Sequence, residues 1–288
     1  MPKSDIKTFI ASDGYPIRFR HWSPEGVPRG YVVAIHGIQS HSGWYTYSSR
    51  LLCAAGYEVF YLDRRGSGLN EQDRGDVTHL ERLLYDVIQF LAQVGAQRDK
   101  SAPEAPVILS SVSWGGKLAV SVAAKRPQLI DGMALLYPGI CARIHVNWIQ
   151  NIQLKLADLF RVRSKRVRIP LDDPALFTTS SEWQEFIQHD PLALKDVTTS
   201  FLLANRELDR LAYQAPEFVV CPTLLLLAGK DRIIDNDRTK RYFDRLQNKA
   251  NRTIEYPESA HTLEFEPDRD VFINDLIEWM QLIDHEIE

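Results

Sequence analysis

The chain has 288 residues, of which 44% are hydrophobic and 25% charged, a composition typical of a soluble globular protein. Its formal net charge of −4 gives no reason to expect a nucleic-acid partner, because such partners favour a basic surface. The cysteines Cys53, Cys141 and Cys221 are scattered and odd in number, which argues against a disulfide framework or a metal cluster and indicates a reducing compartment. Since the N-terminus lacks an apolar leader, and no segment has the roughly 18 apolar residues of a membrane span, we expect a cytoplasmic protein.

The first half of the chain alternates between strand and helix patterns. The runs 6–11 and 17–22 flank a Ser-Asp-Gly turn and predict a β-hairpin. Apolar runs and helical periodicities then follow in turn, with strands predicted at 31–35, 57–62, 107–109 and 132–137 and helices at 45–55 and 79–94. Such alternation indicates a mostly parallel sheet with helices on both faces.

The alternation is interrupted after Pro138 and resumes later in the chain. Residues 140–214 have helical patterns and no convincing strand. Beyond them we predict, in order, a strand at 221–228, a helix at 238–246, a strand at 252–256 and an amphipathic helix at 268–283. Because the chain returns to the same sheet, we interpret 140–214 as a helical cap over the carboxyl edge of a core formed by 1–139 and 215–288.

A serine stands where the strand at 107–109 turns into a helix. The sequence from Ser111 to Gly116 resembles the G-x-S-x-G nucleophile elbow, a strained turn that lifts the serine hydroxyl clear of the sheet. The positions two before and two after the serine approach closely and must be small. Gly115 meets this requirement, whereas Ser111 stands where glycine is usual, so we expect a tighter elbow around the candidate nucleophile Ser113.

Two later strand ends carry the other groups that a serine nucleophile needs, a base and a carboxylate that orients it. Asp231 follows the penultimate predicted strand in a Gly-Lys-Asp sequence, and His261 follows the last strand, ahead of the final helix. The order Ser113, Asp231, His261 is the one expected of an α/β-hydrolase. Asp235 or Asp237 could orient the base instead, although Asp231 follows its strand more directly.

The developing oxyanion of such a reaction needs backbone N–H donors. We expect them from Trp114, the residue after the nucleophile, and from Ile38, which follows a His-Gly turn. His36 and His41 lie in the same opening loop, where we expect them to hold its structure. These residues imply acylation of Ser113 followed by hydrolysis with water, a mechanism that needs no metal and no cofactor.

Taken with these motifs, the chain resembles the monoacylglycerol lipase and lysophospholipase-like branch of the α/β-hydrolase fold. The resemblance covers nearly everything from Ser12 to Met280. It rests on the elbow and on the segments 35–43, 63–68, 130–136, 189–192, 228–232 and 260–264. Two features restrict the resemblance to this branch of the superfamily. They are the opening His-Gly loop with its downstream His-Ser-Gly, and an Asp-Pro-Leu sequence in the cap. The resemblance implies hydrolysis of a long-chain ester, with the triad and oxyanion donors at the positions already named.

Within the cap, apolar residues at helical spacing precede a basic run. The apolar stripe consists of Ile144, Trp148, Ile149, Ile152, Leu156, Leu159 and Phe160. It either packs on the sheet, or lines an acyl tunnel or meets a membrane surface. The run 161–168 contains five basic residues in eight, which is typical of a solvated loop or, alternatively, of a segment that docks on anionic lipid headgroups.

The function expected from the sequence is therefore serine-dependent hydrolysis of a monoacylglycerol or lysophospholipid-type ester. The bulky ring of Trp114 beside the nucleophile keeps a second hypothesis open, an esterase or thioesterase for a small specialised acyl group. A non-catalytic ligand-binding protein on the same scaffold is the third, and the intact Ser113, Asp231 and His261 argue against it.

Overall fold

The structure, a computed structural model, describes residues 2–144 and 157–286, with side chains described as far as residue 283. The strands of these ranges are Asp5–Ile10 (β1), Pro16–Trp22 (β2), Gly30–Ile35 (β3), Tyr57–Leu62 (β4), Val107–Val112 (β5), Gly132–Leu136 (β6), Arg166–Arg168 (β7), Asp196–Thr198 (β8), Thr223–Ala228 (β9) and Arg252–Tyr256 (β10). The helices are Thr46–Ala54 (α1), Leu80–Ser101 (α2), Gly115–Lys125 (α3), Ser181–His189 (α4), Thr199–Gln214 (α5), Asn236–Phe243 (α6) and Arg269–Glu286 (α7).

The main sheet contains eight of these strands, in the spatial order β1-β2-β4-β3-β5-β6-β9-β10. The β1–β2 hairpin is antiparallel, and β2 pairs antiparallel with β4. From β4 to β10 every neighbouring pair is parallel. The mostly parallel sheet predicted from the sequence is thus confirmed, and the carboxyl ends of its parallel strands share one edge.

Helices cover both faces of the sheet, and the central strands are buried on both sides. In β3, Tyr31, Val33 and Ile35 belong to the core under α2 and α3, whereas the alternating Val32 and Ala34 belong to the core under α1 and α7. This double burial explains why the strand is a continuous apolar run instead of an alternating one. It fixes the positions of the loops that leave the carboxyl edge.

Helix ends are the main departure from the sequence-based boundaries. Helix α2 continues to Ser101 instead of ending near Val94, because its last turns are polar residues that form a helix without an apolar face. Helix α6 begins at Asn236, earlier than expected, since the Asp235 side chain accepts a hydrogen bond from the Arg238 N–H and caps the helix.

The segment 140–214 joins two adjacent parallel strands, β6 and β9, and contains two short strands that the sequence did not predict. Strands β7 and β8 pair antiparallel, with Val167 opposite Val197. The expectation of a strand-free segment was wrong, because three-residue strands flanked by charged residues are too short to show a period. Of the predicted apolar stripe, the part from Trp148 to Leu156 lies outside the described residues. The division into a core and a cap stays a prediction.

Asp190 ties this segment to the loop after β3. Its Oδ2 accepts hydrogen bonds from the Trp44 indole N–H at 2.6 Å and from His41 Nε2–H at 2.9 Å. Burial by itself would raise the pKa of Asp190, but the hydrogen bonds from His41 and Trp44, the electrostatic attraction of His41 and a hydrogen bond from the Leu192 N–H together outweigh it and the pKa is lowered. A buried carboxylate therefore holds the 140–214 segment close to residues 36–44.

Each helix of the described ranges is too short or too polar to cross a lipid bilayer.

Candidate active site

Ser113 occupies a strained turn between the end of β5 and the start of α3. Its φ is +50°, a region that a non-glycine residue adopts at a cost of about 1–3 kcal/mol. Backbone hydrogen bonds hold the turn in place: Ser113 N–H donates to the Leu136 carbonyl at 3.0 Å, and the Ser113 carbonyl accepts from Gly116 and Gly139. The serine predicted from the elbow motif thus lies in a sharp, strained turn directly after the end of β5.

The positions two residues before and two residues after Ser113 have little room for a side chain. A Cβ added at Gly115 would lie 2.8 Å from the carbonyl oxygens of Ile35 and His36, so a larger residue would collide with backbone. Ser111, which replaces the usual glycine, is fully buried in β5, and its hydroxyl lies 3.5 Å from the Ala134 carbonyl oxygen. The elbow therefore accommodates a serine at this position.

The structure brings Ser113, Asp231 and His261 together although they are far apart in the chain. His261 Nε2 lies 2.9 Å from Ser113 Oγ, and His261 Nδ1 lies 2.7 Å from Asp231 Oδ2. An ionised carboxylate only accepts hydrogen bonds, so Nδ1–H donates to Asp231 and the Nε2 lone pair accepts from the Ser113 hydroxyl. The imidazole is thus oriented to take a proton from the serine.

Asp231 is held rigidly at the carboxyl end of β9. Its Oδ1 accepts the backbone N–H groups of Ile233 at 2.7 Å and Ile234 at 2.9 Å, while its Oδ2 faces His261. Its side chain is fully buried. The alternative Asp235 is occupied in capping α6, so Asp231 is the carboxylate that meets the histidine.

His36 and His41 lie beside this site and hold the loop after β3, as expected. His36 Nδ1–H donates to the Gly37 carbonyl at 2.7 Å, and its Nε2 accepts the Arg64 backbone N–H at 3.0 Å. Complete burial lowers the pKa of His36 well below the usual value, so its imidazole is neutral. His41 accepts from Gly43 N–H through Nδ1 and donates to the buried Asp190.

The two expected oxyanion donors, Ile38 and Trp114, line one cavity together with Ser113. The loop before Ile38 comes close to the nucleophile, because a Cβ added at Gly37 would lie 3.2 Å from Ser113 Cβ and 3.1 Å from Ser40 Oγ. A larger residue at this position would have to displace one of these side chains, whereas glycine lets the backbone approach Ser113.

Arg64, which the sequence analysis did not single out, contacts both residues that are expected to supply the oxyanion donors. Its guanidinium donates to the Ile38 carbonyl and lies 4.8 Å from the centre of the Trp114 ring. Burial lowers the pKa of Arg64 to about 9. The Asp-Arg-Arg-Gly sequence was visible as a family motif, but no local pattern indicates that the first arginine reaches the loop after β3.

Trp114 is packed into the wall of the site instead of projecting across it. Its ring stacks on Phe201 of α5 with 5.7 Å between ring centres, and its Nε1–H donates to Asn205 Oδ1 at 2.7 Å. Only 5% of the residue is exposed. The bulky side chain beside the nucleophile therefore serves as a contact between the elbow and α5.

A cavity of about 650 Å³ opens above Ser113. One part of its lining is apolar and includes Ile140, Ile169, Leu171 and Ile233. A second part comes from α3 and α5 and is polar, with Lys117, Asn205, Arg206, Asp209 and Arg210. The volume and the mixed lining suit a small molecule that has an apolar and a polar end.

Comparison with known proteins identifies the family. The model of the Hydrolase_4 family, described as serine aminopeptidase S33, matches residues 26–268. The chain belongs to this family. The match includes the elbow, the strand ends that carry Asp231 and His261, and the whole of the 140–214 segment.

Several relatives of this Hydrolase_4 member are lipases. The chain is 28% identical to human monoglyceride lipase over 240 residues, which cover 82% of this chain and 76% of the relative. It is 25% identical to the monoacylglycerol lipase of Mycolicibacterium smegmatis over 276 residues, 95% of either chain. A crystal structure of a soluble variant of Saccharomyces cerevisiae monoglyceride lipase with a substrate analogue has 20% identity, covers 98% of this chain and 96% of that one, and superposes with a TM-score of 0.84. This last likeness shows the shared α/β-hydrolase fold.

Glu264 anchors the loop that carries His261. Its Oε1 accepts the backbone N–H groups of Tyr47 at 3.1 Å and Ser48 at 3.0 Å, in the first turn of α1. Burial raises the pKa of Glu264 to about 7, against the hydrogen bonds from Ser48. The folded protein therefore favours the protonated carboxyl, whereas the unfolded chain ionises near the ordinary pKa of 4.5.

We expect this difference to appear as a pH-dependent stability. The contribution of Glu264 is fully present below about pH 4.5 and is lost as the pH rises through about 7, a difference on the order of 3 kcal/mol. Glu264→Gln keeps the acceptor for Tyr47 and Ser48 but cannot ionise. Urea unfolding at pH 5.5 and 8.5 should therefore show the wild type losing stability relative to the variant. Equal losses in the two proteins would contradict the raised pKa.

Proposed function

We propose that this chain is a serine-dependent carboxylic-ester hydrolase that acts through an acyl-enzyme on monoacylglycerol or lysophospholipid-type esters. The observation that carries the proposal is the hydrogen-bonded series Ser113, His261, Asp231 at the base of an amphipathic cavity. The monoglyceride lipases among its relatives support the substrate class, since their similarity extends over most of the chain.

In the first half-reaction, Ser113 Oγ attacks the ester carbonyl carbon while His261 Nε2 takes its proton. Asp231 keeps the imidazole in the required tautomer and stabilises the imidazolium that forms. The negative charge passes to the former carbonyl oxygen, which the N–H groups of Ile38 and Trp114 would stabilise. The tetrahedral intermediate then breaks its bond to the alcohol oxygen, and His261 returns the proton to that oxygen.

In the second half-reaction, water attacks the acyl-enzyme with His261 again as the base. The products are the carboxylic acid and free Ser113. Arg64 has a supporting part in both steps, because its contact with the Ile38 carbonyl restrains the peptide that offers the oxyanion donor. We assign it a positioning role and not a catalytic one.

The apolar part of the cavity wall supports an acyl chain as the substrate's hydrophobic portion. A cavity of about 650 Å³ accommodates more than a short acyl group, and Trp114 packs against Phe201 instead of closing it. These observations favour the lipase hypothesis over an esterase or thioesterase for a small specialised acyl group. A binding protein without activity would have no need of the aligned triad.

Replacement of Ser113 tests the mechanism. We expect Ser113→Ala to lower kcat/KM on monoacylglycerols by about 10⁴-fold or more, because the triad acts as a unit. Ser121→Ala is the matched control, since the Ser121 hydroxyl bonds to the Lys117 carbonyl within α3 and Ser121 does not line the cavity, and it should remain active. A fluorophosphonate probe should label the wild type and the control but not Ser113→Ala.

The acyl-chain preference of the same proteins separates the substrate hypotheses. Hydrolysis that improves from short to long monoacylglycerols supports the lipase proposal, whereas turnover restricted to short esters favours the specialised esterase. Probe labelling without turnover of any ester points to an untested substrate. Absence of labelling in the wild type contradicts a serine hydrolase.

We also propose that the segment around 159–165 contacts anionic membranes. Leu159 and Phe160 are 73% and 71% exposed, an unusual exposure for large apolar side chains. They adjoin Arg161, Arg163 and Lys165, of which Arg163 forms an exposed ion pair with Asp158. Apolar side chains beside cations are typical of segments that lie at a lipid interface.

Charge reversal tests this contact. Each basic residue near an anionic membrane contributes about 1 kcal/mol, so Arg163→Glu with Lys165→Glu should weaken co-sedimentation with phosphatidylserine vesicles roughly 30-fold or more. Lys249→Glu with Arg252→Glu makes the same change at exposed positions near the amino end of β10 and should bind as the wild type does. Unchanged binding of the first variant would contradict the proposal.

A cytoplasmic location remains part of the proposal. The thiols of Cys53, Cys141 and Cys221 are all free, which is typical of proteins in reducing compartments. Cell fractionation with an antibody to the chain tests it, and recovery in a secreted fraction would contradict it.

A further inference from the structure

The polar wall of the cavity contains more positive than negative charge. Its charged residues are Lys117 of α3 and, on α5, Arg206, Asp209 and Arg210. Arg206 and Arg210 are one helical turn apart, so their side chains leave the same face of α5. Both arginines line the cavity that contains Ser113, Arg206 half-buried and Arg210 exposed, and the ester chemistry proposed above does not use them.

The charge of Asp209, the single acidic residue of this wall, is already compensated by an ion pair. Lys117 forms an ion pair with Asp209, and its Nζ also lies 3.4 Å from Asn205 Oδ1. Asn205 is in turn held by the Trp114 indole N–H at 2.7 Å. These contacts leave the carboxylate of Asp209 engaged with the lysine, so it does not balance the two arginines.

Arg206 and Arg210 have no ion pair or hydrogen bond to another side chain within residues 2–144 and 157–286. The stretch 145–156 contains no Asp or Glu, so it has no carboxylate to offer them. Elsewhere in the 140–214 segment, cations do find acids, as Arg168 does with Asp172. Two guanidinium groups at the cavity wall thus have no carboxylate partner within the described residues.

A neutral glycerol head group would make no use of two uncompensated cations. Guanidinium groups bind phosphate through paired, charge-assisted hydrogen bonds, and two of them match the charge of a phosphate dianion. The apolar wall suits an acyl chain, so the negative charge belongs on the alcohol side of the ester.

We propose that the cavity binds an ester whose alcohol portion carries a phosphate group, with Arg206 and Arg210 as the phosphate-binding residues. This inference rests on the proposed ester hydrolysis and specifies its substrate class. The reaction itself is unchanged: water cleaves the carboxylic ester to give a fatty acid and a phosphorylated alcohol, and the phosphate ester bond stays intact.

A pair of soluble substrates tests the inference without interference from membranes. 1-Hexanoylglycerol and 1-hexanoylglycerol 3-phosphate share their acyl group and differ only in the phosphate. We expect the wild type to show at least a tenfold higher kcat/KM for the phosphorylated ester, mainly through KM. Arg206→Gln with Arg210→Gln should lower this ratio at least tenfold, and the preference of the wild type should weaken as salt rises.

Arg252→Gln provides the matched control. It removes one exposed arginine at the amino end of β10, whereas Ser113 and Asp231 lie at the carboxyl ends of their strands, and it should leave the ratio of the two substrates unchanged. Comparing two substrates on each protein cancels any partial loss of folded protein. A second readout needs no turnover: calorimetry should detect binding of 1-hexanoylglycerol 3-phosphate to Ser113→Ala, and the two arginine substitutions should abolish it.

The outcomes distinguish this inference from the proposed function. Equal hydrolysis of both esters, or a ratio that the arginine substitutions leave unchanged, overturns the phosphate site while the ester hydrolase stands. If neither ester is hydrolysed, the proposed function fails for these substrates, and the calorimetry decides the inference. Arginine-dependent binding to Ser113→Ala would then support it, and absence of binding would overturn it.

Discussion

The strained backbone of Ser113 is the constraint on which the rest of the site depends. A positive φ at a serine persists only where the surroundings over-determine it, and here β6, α3 and the loop after β6 all form hydrogen bonds with the same turn. The close approach of Gly115 to the end of β3 adds a steric requirement. Contacts within the sheet thus stabilise the strained turn and hold the Ser113 hydroxyl at the carboxyl edge. The loops after β9 and β10 place Asp231 and His261 at the same edge.

The same turn is coupled to the 140–214 segment through buried contacts. Trp114 stacks on Phe201 and bonds to Asn205, both on α5, and Arg64 lies against the rings of Trp114 and Phe201. Arg64 also holds the Ile38 carbonyl, so one cation contacts both residues expected to supply the oxyanion donors. A displacement of α5 would therefore shift Trp114, which adjoins Ser113 in the chain. A substrate that contacts α5 could in this way alter the position of the nucleophile.

Two buried carboxylates stabilise the loops that surround the triad, and they do so in different ionisation states. Asp190 stays charged because it receives hydrogen bonds from His41 and Trp44, whereas burial shifts Glu264 toward its protonated form. The difference follows from the donors available to each group. Oδ2 of Asp190 accepts hydrogen bonds from two side chains. By contrast, Oε2 of Glu264 has no hydrogen-bond partner within the described part of the chain.

The sequence by itself determined the order of strands and helices, the elbow at Ser113 and the positions of Asp231 and His261, because these depend on local periodicity and on the rule that parallel strands share a carboxyl edge. It missed the β7–β8 pair, whose strands are too short to show a period. Only the tertiary structure decided which residues meet Trp114, that Arg64 reaches Ile38, and that Arg206 and Arg210 face the cavity. Those contacts join segments far apart in the chain, and neither composition nor spacing specifies which face of a helix will turn toward a distant strand end.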